Sequence, residues 1–202
     1  SVEVFDPATL KKMTLSNQDC DFGYRDSVFK KTIGRNWVVT RVIFRLSKNS
    51  KVHLSYRALK EAMDRELIAE PTLHDVARVV GEIRQAKLPD PRVLGNAGSF
   101  FKNPLLTVEQ FNCLKQRHPQ MPAYPQADGH IKTAAAWLIE QTGFKGQRLG
   151  DIGCYELQPL VLVNYGHGTA AELEQWMGLI IATVQQRFGI CLEPEVRMLH
   201  GC

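Results

Sequence analysis

The segment with the clearest chemical potential is residues 95–104, which read GNAGSFFKNP. Gly95 and Gly98 lack a Cβ atom, so another group can approach the backbone between them closely. A hydroxyl follows at Ser99 and an ammonium group at Lys102. Backbone N–H groups beside a lysine are suited to binding an anion. On spacing alone, however, a glycine-rich turn followed by two core phenylalanines is the simpler interpretation.

A second group of ionisable residues lies near the end of the chain, in the sequence LEPEVR of residues 192–197. In an extended strand Glu193, Glu195 and Arg197 share one face, because side chains alternate with a period of two. A carboxylate beside a guanidinium group can orient a substrate or take part in acid–base chemistry. Without further evidence, a solvated strand face with surface ion pairs is the simpler explanation.

Two loop segments carry one candidate each. Arg25, in the segment YRDS of residues 24–27, could bind a carboxylate or a phosphate through two N–H groups. A turn that Asp26 stabilises by hydrogen bonds to nearby backbone explains the same segment equally well. Tyr124 opens the segment YPQADG of residues 124–129, where its ring could stack on a base or, as is commoner, pack within the loop.

Composition argues against several kinds of partner. The net charge is +4, from 25 Lys and Arg against 21 Asp and Glu, and the scattered basic residues predict no nucleic-acid partner. No apolar stretch approaches membrane-spanning length, which predicts no membrane insertion. The five cysteines are far apart and form no CxxC pair, so neither a disulfide framework nor a zinc or other metal site is expected. A reducing compartment, the cytoplasm, is therefore the predicted location.

The periodicity of apolar residues predicts an α+β fold. The N-terminal region reads as β structure, with its clearest strand at residues 37–46, where Val38, Val42, Phe44 and Leu46 share one face and Arg41 and Arg45 the other. Helices are predicted after Thr72, after Thr107, over residues 132–142 and after Thr169, and further strands at residues 160–164 and 190–199. The first of these helices ends near Lys87, and Leu88–Pro91 is a candidate hinge because its prolines cannot continue a helix.

Six segments, taken together and in this order along the chain, resemble the family of UDP-N-acetylenolpyruvoylglucosamine reductases. The resemblance extends from about residue 20 to about residue 199. It rests on YRDSVFK at 24–30, KLPDP at 87–91, GNAGSFFKNP at 95–104, YPQADG at 124–129, AAAWLIEQTGFKG at 134–146 and LEPEVR at 192–197. GNAGSFFKNP is highly specific, whereas YRDS and EPEVR are informative mainly in combination with it.

The resemblance implies a flavoenzyme that uses NADPH and FAD to reduce UDP-N-acetylglucosamine enolpyruvate to UDP-N-acetylmuramate in peptidoglycan synthesis. It implies that Ser99 donates a proton to the carbon next to the substrate carboxylate. It also implies that Arg25 and Glu195 flank that carboxylate and the enolic intermediate. Because a serine hydroxyl is a weak acid, it needs electropositive neighbours, for which Lys102 and Lys87 are candidates.

The resemblance also implies a set of contacts to the UDP-sugar. Tyr56 matches a loop tyrosine that closes over the substrate, and five further residues match substrate contacts: Lys87, Asn103, Tyr124, Lys145 and Gln158. Lysines and an amide suit a diphosphate, and an aromatic ring suits uracil. Residues 151–156 (DIGCYE) depart from the family pattern just ahead of Gln158.

By the same resemblance, residues 1–88 together with 190–202 are a remnant of a flavin-binding domain, and residues 89–189 form the substrate domain. Ser99 is then expected on one lobe, and Arg25 with Glu195 on the other. Residues 1–23 contain no glycine-rich phosphate loop, so this chain is not expected to hold FAD alone. The full-length protein is expected to be a monomer. The alternative function is a non-catalytic module that binds a UDP-sugar.

Overall fold

The computed structural model describes residues 1–48 and 51–198, apart from the side chain of Arg57. It comprises two compact units, Ser1–Lys51 and Val52–Cys202. Strands and helices occur together along the chain, which confirms the predicted α+β class. The proposed flavin and substrate domains, with their boundary near residues 88–91, stay a prediction.

The first unit is built on a three-stranded antiparallel sheet in the order β2-β1-β3. Its strands are β1 (Val2–Asp6), β2 (Lys11–Leu15) and β3 (Val38–Val42). Val2 and Val4 of β1 are buried together with Cys20 in a small core of their own. A short 3₁₀ helix at Val28–Lys30 follows the YRDS segment.

The predicted strand at residues 37–46 is only partly correct. β3 ends at Val42, and Phe44 and Leu46 lie beyond it with 77% and 85% of their surfaces exposed. The register against β1 shifts between Glu3 and Val4, so that Val4 opposes Val39 while Val2 opposes Val42. This irregularity places Val39, rather than Val38, on the face of Val42. The strict alternation of side chains between the two faces, predicted for this strand from the sequence, is therefore interrupted at the register shift.

The second unit begins with a pair of helices, α1 (Arg57–Arg65) and α2 (Leu73–Lys87). They enclose a small core of Leu59, Met63 and Val79. Thr72 caps α2 as predicted: its hydroxyl accepts a hydrogen bond from the Asp75 N–H at 3.2 Å, and the Asp75 carboxylate accepts one from the Thr72 N–H at 2.9 Å. The helix ends at Lys87, as the following prolines predict.

Two antiparallel sheets and three helices form the rest of the unit. The larger sheet has the order β4-β10-β9-β8 and the smaller one the order β5-β7-β6. In chain order the elements are β4 (Gly95–Ser99), β5 (Leu105–Leu106), α3 (Val108–Arg117), β6 (Tyr124–Pro125), β7 (Ile131–Lys132), α4 (Ala135–Gln141), β8 (Arg148–Leu149), β9 (Ile152–Cys154), β10 (Val161–Asn164) and α5 (Ala170–Phe188). Lys132 therefore belongs to β7, and the helix predicted to begin there starts three residues later.

The long helix α5 carries the centre of the main core. Thr169 and Glu172 form its capping box and Gly189 ends it with a φ of 69°, both as predicted. The buried stripe consists of Trp176, Ile180, Val184 and Phe188, whereas Leu173 and Met177 pack against it half-buried. Within the described part of the chain, none of the helices combines the length and the hydrophobicity needed to cross a bilayer.

The glycine-rich segment is a strand rather than the predicted turn. Residues Gly95–Ser99 form β4, which pairs with β10, and Gly98 has the positive φ of 73° that favours glycine. The core phenylalanines were predicted correctly. Phe100 and Phe101 are 3% and 1% exposed, with ring centroids 5.2 Å apart.

The strand predicted at residues 190–199 is wrong for the described residues 190–198. Only an isolated bridge between Phe101 and Pro194 is found there. Pro194 has no N–H group to donate, which limits the pairing to the residues on either side of it. Burial still alternates at the start of the segment, since Ile190 and Leu192 are buried. Leu199, His200 and Cys202 lie outside the described residues.

Gly153, in the buried strand β9, tests how tightly the larger sheet is packed. A Cβ atom at this position would lie 2.7 Å from the Gln147 carbonyl oxygen and 2.6 Å from the Arg148 Cβ atom. Gly153→Ala is expected to lower the free energy of unfolding by about 1–3 kcal/mol, because the backbone must move to accommodate it. Urea denaturation measures the change. Gly178→Ala is the control, since it lies in α5 with open space around it and should raise stability by roughly 0.5–1 kcal/mol.

Asn103 provides the side-chain cap that α4 lacks locally. The N-cap residue Ala134 has no side-chain acceptor, and the Asn103 Oδ1 atom accepts a hydrogen bond from the Ala135 N–H at 2.9 Å. Asn103→Ala is expected to reduce the free energy of unfolding by about 1 kcal/mol. Asn103→Asp should lose less, because it keeps an acceptor and places a negative charge at a helix N-terminus. Equal unfolding midpoints for the wild-type and alanine proteins would contradict this role.

Candidate active site

Ser99 and Glu195 are brought together by the backbone of Phe100. Ser99 is the exposed last residue of β4 and pairs with Val161 of β10. The next residue, Phe100, donates to the Leu160 carbonyl at 2.8 Å and accepts from the Glu195 N–H at 2.7 Å. Glu195, which is half-buried, is therefore held one residue away from Ser99 across a hydrogen bond. This arrangement places the backbones of Ser99 and Glu195 at the same end of the larger sheet.

The predicted electropositive role of Lys102 is offset by a neighbouring carboxylate. The Lys102 Nζ atom lies 2.7 Å from Glu193 Oε2. The backbone N–H of Lys102 also donates to the Glu193 carbonyl at 2.9 Å. Since an opposite charge at this distance cancels most of the field of an ammonium group, Lys102 contributes little positive potential at Ser99.

Asn103 and Tyr124 are connected through the smaller sheet. Asn103 holds the start of α4, and the following residue Pro104 accepts a hydrogen bond from the Thr133 N–H at 3.0 Å. Tyr124 of β6 lies opposite Lys132 of β7, and 51% of its surface is exposed. β7 separates Tyr124 from β5, the strand that continues from Ser99, so the exposed ring lies on the opposite edge of this sheet.

The loop after Tyr124 has a defined conformation. The N–H of His130 donates to Asp128 Oδ1 at 3.1 Å, and this backbone hydrogen bond is the main cause of the lowered pKa of the Asp128 carboxyl. The Gln126 side chain donates to the Tyr124 carbonyl at 2.6 Å, which ties the loop to the tyrosine. The predicted loop is thus confirmed, with Tyr124 in a short strand at its start.

Gln158 lies in the tight connection between β9 and β10. Its carbonyl accepts from the Val161 N–H at 3.0 Å, and Val161 is the residue that pairs with Ser99. The backbone of Gln158 is therefore attached to the strand next to Ser99. The departure from the family pattern at residues 151–156 does not disrupt this connection, because Ile152–Cys154 forms the regular strand β9.

Three predicted substrate contacts are outside this group: Lys145, Lys87 and Tyr56. Lys145 follows α4, and its ammonium group donates to Glu140 Oε1 at 2.7 Å. Lys87 is the exposed last residue of α2, and Tyr56 is the N-cap residue of α1 with 57% of its surface exposed. Their predicted contact with a UDP-sugar stays a prediction.

A cleft that the sequence did not indicate separates the end of α2 from β4. Its volume is about 720 Å³, and Val161, the partner of Ser99, is part of its wall. Its polar lining includes Arg84 and Gln85 of α2 and Asn96 of β4. These residues carry no motif that spacing could reveal, because they meet only when the hinge at residues 88–91 folds α2 towards β4.

Two local interactions shape this cleft. Arg92 binds Asp90 at 2.7 Å, and this contact holds the pKa of the Asp90 carboxyl below its usual range. The Asn96 side chain donates to the Leu94 carbonyl at 2.8 Å and accepts from the Gly98 N–H at 3.0 Å, which fixes the path of β4 up to Ser99.

Arg25 belongs to the first unit, at a sharp turn. The N–H of Gly23 donates to the Asp26 carbonyl at 2.9 Å, and Asp26 Oδ1 accepts from the Ser27 N–H at 2.8 Å. The turn stabilised by Asp26 is thus found, and Arg25 adopts a left-handed conformation with a φ of 55°. Arg25 is exposed, as a residue that binds an anion requires. Its predicted role with Ser99 and Glu195 stays a prediction, as does the assignment of residues 190–202 to a flavin-binding domain.

A family model described as the C-terminal domain of UDP-N-acetylenolpyruvoylglucosamine reductase matches residues 90–199. Two similar proteins bear the name UDP-N-acetylenolpyruvoylglucosamine reductase. The protein of Pseudomonas syringae pv. tomato is 53% identical over 178 residues, which are 88% of this chain and 52% of that protein. The protein of Chromobacterium violaceum is 50% identical over 186 residues, which are 92% of this chain and 54% of that protein. This chain therefore spans about half the length of the relatives that it matches.

A solved structure agrees at the level of the fold. The crystal structure of UDP-N-acetylenolpyruvylglucosamine reductase from Thermus caldophilus superposes with a TM-score of 0.54 and 22% sequence identity, over 97% of this chain and 51% of that one. The family model covers more than half of this chain and includes Ser99, Asn103, Tyr124 and Glu195. The chain belongs to the UDP-N-acetylenolpyruvoylglucosamine reductase family.

Proposed function

We propose that this chain is part of a reductase that converts UDP-N-acetylglucosamine enolpyruvate to UDP-N-acetylmuramate with NADPH and FAD, for peptidoglycan synthesis in the cytoplasm. The observation that supports this most directly is the hydrogen bond from the Glu195 N–H to the Phe100 carbonyl, which attaches the backbone of Glu195 to the residue that follows Ser99. The names of the relatives support the reaction. The complete protein is proposed to act as a monomer.

The proposed chemistry follows from where negative charge develops. Hydride addition to the enolpyruvyl double bond leaves negative charge on the carboxyl-bearing carbon and its oxygens. Ser99 would donate a proton to that carbon, and Arg25 would stabilise the charge on the carboxylate as it forms. Glu195 would then orient the substrate carboxylate and the proton donor together. A weak acid such as serine is effective only when it is held close to the carbon that it protonates.

Substrate binding is assigned to the surface that continues from Ser99. Tyr124 is proposed to stack on the uracil ring, and Asn103 to contact the substrate beside it. Lys87, Lys145 and Gln158 are proposed as contacts to the diphosphate and sugar, and Tyr56 as the residue that closes over them. The short path from Ser99 through Asn103 to the smaller sheet supports a single continuous site.

The residues present do not fit the pyrophosphate of FAD. A pyrophosphate usually binds at a helix N-terminus that follows a glycine-rich loop. The helices α2, α3 and α5 each begin with a capping box, formed by Thr72 with Asp75, Thr107 with Gln110 and Thr169 with Glu172, which already bonds two of the N–H groups at each helix start. We therefore assign the flavin phosphates to the part of the reductase that this chain does not span.

A module that binds a UDP-sugar without catalysis is the second candidate. The capping boxes of α2, α3 and α5 favour it, since they occupy N–H groups that a flavin phosphate would need at these three helices. The two candidates differ in what Ser99 does, because a module that only binds the UDP-sugar does not need a proton donor at that position.

Binding of the substrate can be tested on the chain itself. We expect calorimetric titration with UDP-N-acetylglucosamine enolpyruvate to show saturable binding. Tyr124→Ala should weaken it roughly tenfold, or ~1.4 kcal/mol, through loss of stacking. Tyr165→Ala is the matched control, because Tyr165 is also partly exposed but packs near Arg148, away from the smaller sheet. Equal losses in both variants would argue against a uracil site at Tyr124.

The role of Ser99 can be tested in the full-length reductase by stopped-flow spectroscopy. Ser99→Ala is expected to leave flavin reduction by NADPH unchanged and to slow reoxidation by substrate about 10²–10⁴-fold, the usual contribution of a general acid. Ser99→Cys keeps a proton donor of similar size and should retain part of the rate. Reoxidation at the wild-type rate in Ser99→Ala would refute the assignment and favour the non-catalytic module.

A further inference from the structure

The position of Glu195 depends on a very short piece of pairing. Residues Glu193 to Glu195 cross Phe100 to Lys102 with two backbone hydrogen bonds, one at each end of the bridge between Phe101 and Pro194. Proline cannot donate a third, and the described residues on either side add no regular strand to this pairing. So few bonds leave the placement of Glu195 sensitive to any further contact.

The chain before and after this pairing is anchored differently. Ile190 and Leu192 precede it and are buried in the main core, with exposures of 5% and 2%. Val196 and Met198 follow it and are only partly buried against the same core. Burial therefore fixes the start of the segment more firmly than the part that carries Glu195.

The ion pair between Lys102 and Glu193 reinforces this pairing. Its atoms lie 2.7 Å apart, and the two side chains are 33% and 70% exposed. An ion pair this exposed adds little to global stability. It does, however, join the same two residues whose backbones form the bond between Lys102 N–H and the Glu193 carbonyl, so it restrains that end of the pairing a second time.

The ion pair also reduces the repulsion between two neighbouring carboxylates. Glu193 and Glu195 are two residues apart in an extended segment, where like charges lie on one side and repel. The Lys102 ammonium group offsets the charge of Glu193 and so reduces the repulsion that would pull Glu195 away from Phe100. The same contact keeps Lys102 from acting as an unshielded cation towards Ser99.

We propose that Lys102 and Glu193 are a positioning pair, which holds the 193–195 segment on Phe100–Lys102 and thereby fixes Glu195 relative to Ser99. The inference rests on the proposed function, because it assigns the pair to the reaction of those two residues. The alternative is a field effect, in which the positive charge of Lys102 itself acts on the substrate. Under that alternative the carboxylate of Glu193 would only weaken the charge of Lys102.

Amide hydrogen exchange tests the positioning itself, on the 202-residue chain and without any substrate. Lys102→Met and Glu193→Gln should each speed exchange of the Glu195 and Lys102 amide protons by about tenfold, because both amides report the short pairing. The amide of Val184, in the core of α5, should be unaffected. Lys102→Arg should preserve the wild-type rates, and so should Lys102→Glu combined with Glu193→Lys. Unchanged exchange in both single variants would overturn the proposal.

Flavin reoxidation in the full-length reductase tests whether the positioning serves the reaction. Lys102→Met and Glu193→Gln should both slow it by about tenfold or more at unchanged thermal midpoint, and Lys102→Arg should rescue it. A field effect predicts the opposite for Glu193→Gln, which would then react as fast as the wild type or faster. That result would overturn the positioning role. The reoxidation rate of Ser99→Ala tests the proposed function separately, so the two proposals can fail independently.

Discussion

The hydrogen bond from the Glu195 N–H to the Phe100 carbonyl is the contact on which the candidate site depends. It joins residues that are 95 positions apart in the chain and attaches Glu195 to the residue that follows Ser99. The bond has a fixed geometry because Phe100 is itself buried and bonded to Leu160, the residue before β10 of the larger sheet. The contact on which the proposed site depends is thus held by a rigid core, which is the usual way in which a protein secures catalytic geometry.

The two phenylalanines explain why the site can lie at the end of a strand as irregular as β4. Phe100 and Phe101 insert into the main core immediately after Ser99, so the strand is anchored at its functional end. Gly98 supplies the left-handed turn of backbone just before it, and Asn96 bonds both sides of that turn. Regular pairing is lost over these residues, but their positions are still determined by burial and by side-chain hydrogen bonds.

The sequence predicted what depends on neighbouring residues and missed what depends on distant ones. Helices α2, α3 and α5 were predictable because Thr72, Thr107 and Thr169 each meet an acidic or amide partner three residues later. The irregular register of β3 and the short pairing at Pro194 were not, since the partner strand determines both. In the candidate site, spacing alone favoured a turn at residues 95–98, and only the combined motifs made Ser99 a catalytic candidate. Asn103 accepts a hydrogen bond from the Ala135 N–H, 32 residues further along the chain, so no local pattern could predict this cap of α4.

Asn103 caps α4 and is also proposed to contact the substrate, and this combination bears on how the protein could evolve under selection by an inhibitor. An antibacterial compound that bonded to Asn103 would contact a side chain whose loss also weakens the start of α4. A resistant substitution at this residue would have to escape the drug and still fold at the temperature of the host. Selection would therefore favour escape through exposed positions without such a second task, and a compound anchored at Asn103 would meet resistance more slowly than one anchored at Tyr124.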